Sequence, residues 1–166
     1  MLSAPSDDEV RDTYAHFGLA LYLAQVLEHA IVNAMVAVRL DQRDRLTRSD
    51  IDAFMSERFE NTLGKLLKAL RSELTVPPAL DDLLTRALSQ RNFLAHHFFR
   101  ERAQAFLTVS GCEAMQAELR AAQELFSQAD KALTALIEPL CTRHGLTEEH
   151  FAAAYDALLQ DARYRT

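Results

Sequence analysis

Residues 17–38 read FGLALYLAQVLEHAIVNAMVAV, a run that is apolar on nearly every side of a helix. One seam of that helix is polar or small, because these residues recur every three or four positions: Gly18, Tyr22, Gln25, His29 and Asn33. About 20 apolar residues are enough to cross a bilayer. Glu28 and the seam, however, place polar groups at the middle of the run, where lipid tolerates them least. The run therefore predicts a central, buried helix with a polar seam and no membrane segment.

The composition around this run predicts an all-α fold. The chain has 166 residues, of which Leu and Ala supply 26 each, whereas Val and Ile together supply only ten. It holds only four Gly and four Pro. A β protein needs branched residues on its strands and Gly or Pro at its turns, and this chain has few of either. We therefore expect one domain, a bundle of four to five mostly antiparallel helices.

Helix start and stop signals divide the chain further. Ser6 is well placed to cap a first helix that begins near Asp7 and ends near Leu40. The remaining signals predict a second helix from Ser49 to about Leu74 with a bend near Asn61 or Gly64, a third from Pro78 through Phe99, a fourth from about Glu113 to Cys141 with a kink at Pro139, and a short last helix opened by Thr147.

The charge is unevenly spread along the chain. The net charge is −6, and the segment from Glu113 to Asp161 alone reaches that value, with nine acids against three bases. From Arg86 to Arg102, four Arg stand against one Glu, a balance of +3. An acidic chain is not typical of an RNA coat or a DNA-packaging protein, but a local basic segment can hold phosphates. The N-terminus has no basic segment of a signal peptide and the two cysteines form no framework, so we expect a cytoplasmic protein.

One constellation could carry chemistry, and it lies inside the basic segment. Residues 91–96 read RNFLAH. On a helix, Asn92 and His96 share a face, whereas Arg91 lies about 140° round the axis from His96. Two copies facing each other across a two-fold axis could bring guanidinium and imidazole together. These groups suit RNA cleavage without a metal, since His exchanges protons near neutral pH and Arg matches the charge of a phosphorane.

The Arg-x4-His motif with a polar residue directly after the Arg resembles that of the HEPN superfamily. The resemblance implies a helical-bundle domain over residues 1–166 and a homodimer that cleaves single-stranded RNA, with no metal and no cofactor. It implies that Arg91 and His96 are catalytic and Asn92 supports them. It also implies a role in toxin–antitoxin or defence systems, with an antitoxin protein as a partner. One toxin branch has a Tyr two residues after the His, the target of an adenylylating antitoxin; here Phe98 stands there, so that control is not expected.

Residues around the motif have two interpretations each. We expect RNA contacts from Arg86, His97, Arg100 and Arg102, whereas His97 and Glu101, four apart, could instead hold a metal. Glu28 and His29 are costly to bury unpaired, so they either have structural partners or face Arg91 and His96 and tune the site. The basic cluster between Arg39 and Arg48 is a solvated loop or an outer RNA grip.

Two classes of function therefore remain open from the sequence. The first is a metal-independent endoribonuclease, and the second is a non-catalytic helical dimer that binds a protein partner or a nucleotide. The dimer expectation also depends on an apolar surplus around the motif, formed by Phe93, Leu94, Phe98 and Phe99. If these four residues all face the core of one subunit, a monomer is the alternative.

Overall fold

The first helix, α1, runs over Asp7–Gln42 and begins at the predicted residue. The Oγ atom of Ser6 accepts from the backbone N–H of Glu9 at 3.3 Å, and the Glu9 carboxylate accepts from the Ser6 N–H at 2.7 Å. This reciprocal pair is a capping box. The backbone N–H and the hydroxyl of Ser6 both donate to the Glu9 carboxylate, and these two hydrogen bonds lower the pKa of Glu9 below its ordinary value. With 36 residues, α1 is about 54 Å long.

The computed structural model describes residues 3–42, 47–59 and 61–145, and this part of the chain is all-α, with no strand. Five further α-helices and one 3-10 helix follow α1: α2 Arg48–Phe59, α3 Leu63–Glu73, α4 Pro78–His96, α5 Phe98–Glu101, the 3-10 helix Ala105–Leu107 and α6 Val109–Arg143. The predicted all-α bundle is confirmed. The short helix predicted from Thr147 lies outside the described residues, as does most of the basic cluster between Arg39 and Arg48.

α1 is buried along one face only. Its buried residues include Ala20, Leu27 and Ile31, which are fully inaccessible to solvent. The predicted polar seam is exposed rather than buried: Gly18, Tyr22, Gln25, His29 and Asn33 all lie at the surface. The expectation of a buried seam was wrong because small and apolar side chains on the opposite face provide the packing surface. By length and composition α1 could also cross a membrane, a test that the core helix of a soluble protein passes as well, and 44% of its most apolar window is buried.

Helix boundaries differ from the prediction at three places, one of which is the end of α4 at His96, before the expected Phe99. The second predicted helix is two helices, α2 and α3, separated at Asn61 and Thr62. α6 begins at Val109, before the expected Glu113, because the Oγ1 atom of Thr108 caps it by accepting from the Gly111 N–H at 3.1 Å. Thr108, three residues before Gly111, thus supplies the cap.

The helices that carry the candidate motif and its neighbours run in a defined order. α4 is antiparallel to α1, because Phe17 contacts Phe98 while Glu28, farther along α1, contacts Arg91, which comes earlier in α4. α3 and α4 are also antiparallel and are joined by Arg71, which bonds to Asp81 at 2.6 Å and to Thr85 at 2.8 Å. The motif therefore lies alongside the middle of α1.

α1 and α6 run parallel to each other. Near their N-terminal ends the Gln116 amide donates to Thr13 Oγ1 at 3.2 Å, and near their C-terminal ends Asp41 contacts Arg143 at 3.3 Å and His144 at 3.4 Å. The core between the helices is built from Leu, Ala and Met side chains, together with Phe98 and Phe126. Cys112 and Cys141 are both free thiols, and burial raises the pKa of Cys141.

Candidate active site

α4 presents the Arg-x4-His motif on its last turns. The helix begins with Pro78 at its first position, as predicted, because that position needs no N–H donor. It ends at His96, and His97 leaves the helical conformation with φ −129° and ψ −29°. After this break, Phe98 and Phe99 open α5, and both contact the ring of Phe17 on α1, at centroid distances of 5.7 and 4.7 Å.

The apolar surplus around the motif belongs to the core of the subunit. Leu94 and Phe98 are 2% and 1% exposed, and Phe93 and Phe99 pack partly buried against the same core. The expectation of a dimer contact was wrong for Leu94 and Phe98, which the core of the chain buries, whereas Phe93 and Phe99 remain partly exposed. Exposed large apolar side chains in the described residues lie elsewhere, at Tyr14, Leu19, Tyr22 and Leu107.

Arg91 is held by two neighbours. Its Nη2 atom lies 3.3 Å from Oε1 of Glu28 on α1, and its Nη1 atom donates to Oδ1 of Asn92 at 3.4 Å. The Arg91 side chain remains 28% exposed and that of Glu28 20% exposed. A guanidinium has five N–H donors, so these two contacts leave others for a ligand. Glu28 therefore faces Arg91, which was one of the two arrangements expected for it.

His96 is the exposed last residue of α4. Its ring packs edge-on against that of His97 at 6.3 Å, and it forms no hydrogen bond within the described residues. Arg91 and His96 do not contact each other, in agreement with their separation round the helix. Asn92, exposed as well, bonds to Arg91 and not to His96. One subunit therefore presents an oriented cation and an accessible imidazole that are not in contact.

The two adjacent histidines differ in their surroundings. Nη2 of Arg100 lies 2.9 Å from Nδ1 of His97. A guanidinium is always protonated and can only donate, so Nδ1 of His97 accepts and its Nε2 carries the proton in this arrangement. His97 is therefore a hydrogen-bond donor toward solvent, whereas His96 keeps both ring nitrogens for proton exchange.

The remaining predicted RNA contacts are engaged to different degrees. Arg102 makes a bidentate pair with Glu118, with Nε and Nη2 each 2.9 Å from a carboxylate oxygen, and lies 5.2 Å above the Phe93 ring. The Glu118 hydrogen bonds raise the pKa of Arg102. Its charge is thus already balanced. Arg86 lies 3.8 Å from Asp82, and both side chains are well exposed, so this pair is loose.

A cavity of about 350 Å³ lies beside the pair of Glu28 and Arg91. It is lined by Gln25, Glu28 and His29 of α1, by Asn61 between α2 and α3, and by Leu66 of α3. From the sequence, Gln25 was expected only in the polar seam of α1 and Asn61 only near a helix bend. Neither they nor Leu66 were expected at a ligand site. A larger cavity of about 440 Å³ lies at the connection of α3 to α4, away from the motif, and its Arg71 is already bonded to Asp81.

The described residues include no group of three or more His, Cys, Asp or Glu side chains close enough to hold a metal ion. At the proposed pair of His97 and Glu101, the guanidinium of Arg100 occupies Nδ1 of His97. A cation bonded to that nitrogen leaves it unable to act as a metal ligand.

Comparison of the chain with family models, with curated proteins and with solved structures finds no match in any of the three.

Proposed function

We propose that this chain is a metal-independent endoribonuclease of HEPN type that cleaves single-stranded RNA as a homodimer. The observation that carries the proposal is the arrangement on α4, where an oriented, part-exposed Arg91 and an exposed His96 lie about 1.4 helical turns apart. Guanidinium and imidazole are the groups that this reaction needs. By its resemblance to HEPN proteins, the chain acts as a toxin or defence component in the cytoplasm, with an antitoxin protein as a partner.

In the proposed reaction, His96 takes the proton of a ribose 2′-OH. The resulting oxygen attacks the adjacent phosphorus, and the bond from phosphorus to the 5′ oxygen of the next nucleotide breaks. His96 returns its proton to that leaving oxygen, so the products are a 2′,3′-cyclic phosphate and a 5′-OH. Arg91 of the partner subunit stabilises the negative charge that grows on the phosphorane oxygens. Asn92 and Glu28 hold that guanidinium in position.

The matching experiment measures cleavage of a labelled single-stranded RNA in excess chelator. We expect 2′,3′-cyclic phosphate ends, and we expect Arg91→Ala and His96→Ala each to lower the rate by at least about 100-fold. Asn92→Ala should cost less, because it acts only through Arg91. His144→Ala is the matched control, since it removes an exposed imidazole at the far end of α6 and should leave the rate unchanged. Activity that survives both major substitutions, or that requires Mg²⁺, would contradict the mechanism.

One observation favours the second candidate, a non-catalytic helical dimer that binds a protein partner or a nucleotide. The ion pair of Arg91 and Glu28 joins α4 to α1, so the motif could serve as a structural link between helices. In that case Arg91→Ala would lower the melting temperature, and no variant would change an RNA cleavage rate above background. The two candidates thus differ in which quantity the same substitution alters.

A further inference from the structure

The cavity beside Glu28, at about 350 Å³, is within the size range of small-ligand sites, about 300–1,000 Å³. Its lining is polar but carries little charge: two amides, one imidazole and one carboxylate that is paired with Arg91. Leu66, which is 1% exposed, supplies an apolar surface. A phosphate would meet the Glu28 carboxylate here, so the cavity does not suit an anion. A flat, neutral ring with hydrogen-bonding edges suits it better.

Two polar side chains of the cavity, Asn61 and Glu28, are held so that they present hydrogen-bond acceptors. Nδ2 of Asn61 donates to the backbone carbonyl of Glu57 at 3.2 Å, which orients the amide and leaves Oδ1 as its acceptor. Arg91 contacts Oε1 of Glu28, and no other described group bonds to that carboxylate. Gln25 is exposed and has no hydrogen-bond partner in the described ranges, so its amide can turn to donate or accept. The fixed atoms are therefore acceptors, and they favour a ligand that donates.

The cavity is also linked to the candidate active site and to an aromatic side chain. Glu28 both lines the cavity and holds Arg91, so a ring in the cavity lies one side chain away from the proposed phosphate-binding cation. On the other side, Tyr22 precedes Gln25 by three residues, on the same exposed seam of α1, and is 60% exposed. Exposed aromatic rings stack with the bases of single-stranded RNA whatever their sequence.

We infer that this cavity binds one nucleobase of the RNA beside the cleaved phosphate, and that it selects adenine or cytosine over uracil. Adenine and cytosine carry an exocyclic amine on their Watson–Crick edge, where uracil carries a carbonyl oxygen. Carboxylate and amide oxygens accept from such amines, whereas uracil offers there only its ring N3–H, between two carbonyl oxygens that the Glu28 carboxylate and the Asn61 oxygen repel. Tyr22 stacks the neighbouring base. This inference rests on the proposed ribonuclease function, because it takes RNA as the ligand.

The test separates binding from cleavage. Single-stranded 2′-O-methyl oligomers of A, C or U have no free 2′-OH and cannot be cut, so their affinity for the wild-type chain is measured by fluorescence anisotropy. Cleavage of the unmodified RNA oligomers is measured beside it. We expect the A and C oligomers to bind at least about fivefold more tightly than U, the lower end of what one good base contact discriminates. The rate of cleavage should follow the same order.

Substitutions assign the preference to the cavity. Asn61→Leu should reduce the preference for A and C over U, because it removes a fixed acceptor, whereas Asn33→Leu, an exposed amide on the same seam as Gln25 but outside the cavity, should keep it. Gln25→Leu and Tyr22→Ala should each weaken all three oligomers alike. Cleavage without base preference, or a preference that Asn61→Leu retains, would overturn the inference and leave the ribonuclease proposal intact. Selective binding without any cleavage would overturn the proposed function alone.

Discussion

Arg100 and Arg102 lie two residues apart and have opposite electrostatic surroundings. Arg102 is neutralised by a bidentate pair with Glu118 and covers the Phe93 ring, so it ties the segment after α5 to α6. Arg100 is exposed, and among the described residues its guanidinium bonds to the ring of His97 and to no carboxylate. A charge that no carboxylate balances is available to a phosphate, whereas a paired charge contributes to stability. From the sequence, both arginines were expected to contact RNA. The pair of Arg102 with Glu118 was not predicted, because Glu118 lies 16 residues away.

Substitution of each arginine should therefore change a different quantity. Arg102→Ala is expected to lower the free energy of unfolding by about 1 kcal/mol, as for a partly exposed bidentate pair, and to leave the salt dependence of RNA binding unchanged. Arg100→Ala should leave stability unchanged within about 0.5 kcal/mol. It should reduce the slope of log affinity against log salt by about 0.7, the value for one phosphate contact to a single strand.

Urea unfolding and the affinity for an uncleavable 2′-O-methyl oligomer across a salt series measure the two effects. If Arg102→Ala reduced the salt slope while Arg100→Ala did not, the assignment of roles would be reversed. Each variant serves as the control for the other, since both lose the same side chain from the same short segment.

Residue types at the candidate site were predictable, but their partners were not. The spacing of Arg91 and His96 already implied that one helix would hold them apart, and the structure keeps them apart. That Glu28 rather than His29 would meet Arg91 depends on how far α1 is rotated about its axis. The sequence of α1 is apolar on nearly every side, so it did not fix this rotation. Asn61 was missed for a related reason, because it enters the cavity only through the break between α2 and α3.

At the scale of the elements, the start of α6 is held by a close approach of two segments. A Cβ atom added to Gly111 would lie 1.9 Å from the carbonyl oxygen of Ala105 in the 3-10 helix, and this backbone atom has little room to move. Gly18, in the middle of α1, has nothing within 4 Å of the same position. The two helical glycines therefore affect stability in opposite ways. Gly111 permits close packing, whereas Gly18 only weakens its helix.

Gly111→Ala should lower the free energy of unfolding by about 1–3 kcal/mol, the cost of overpacking. Gly18→Ala should raise it by about 0.5–1 kcal/mol, because Ala has the higher helix propensity and meets no neighbour. Chemical unfolding of the two variants beside the wild-type chain measures both. Equal effects of the two substitutions would show that the approach of Gly111 to Ala105 contributes nothing.

Helix starts were predicted best where a local cap marks them. The capping box of Ser6 and Glu9 and the Pro78 start are signals within four residues, and both helices begin where these signals stand. The break between α2 and α3 falls at Asn61 and Thr62, where the sequence predicted a bend near Asn61 or Gly64. The end of α4 at His96 was harder to predict, because Phe98 and Phe99 contact Phe17 on α1, far away in the chain, and no local pattern contains these contacts.

For the whole molecule, the packing of the four residues Phe93, Leu94, Phe98 and Phe99 weakens one argument for a dimer but not the geometric one. Arg91 and His96 still do not meet within one chain, so under the proposed mechanism a complete site takes Arg91 from one copy and His96 from the other. We then expect the association to depend on other surfaces and on RNA that both copies bind. A ligand held jointly by two subunits shifts the equilibrium toward the dimer. Sedimentation at micromolar concentration, with and without an uncleavable RNA, should show this shift.

A mixture of two inactive variants tests the shared site directly. Arg91→Ala retains His96, and His96→Ala retains Arg91, so a heterodimer of the two contains one complete site and one that lacks both groups. Random pairing of equal amounts makes about half of all dimers heterodimers, so the mixture should recover about one quarter of wild-type activity. Each variant alone should stay at least about 100-fold below the wild type. If both variants sediment as dimers with RNA and their mixture recovers nothing, then Arg91 and His96 do not act across the interface.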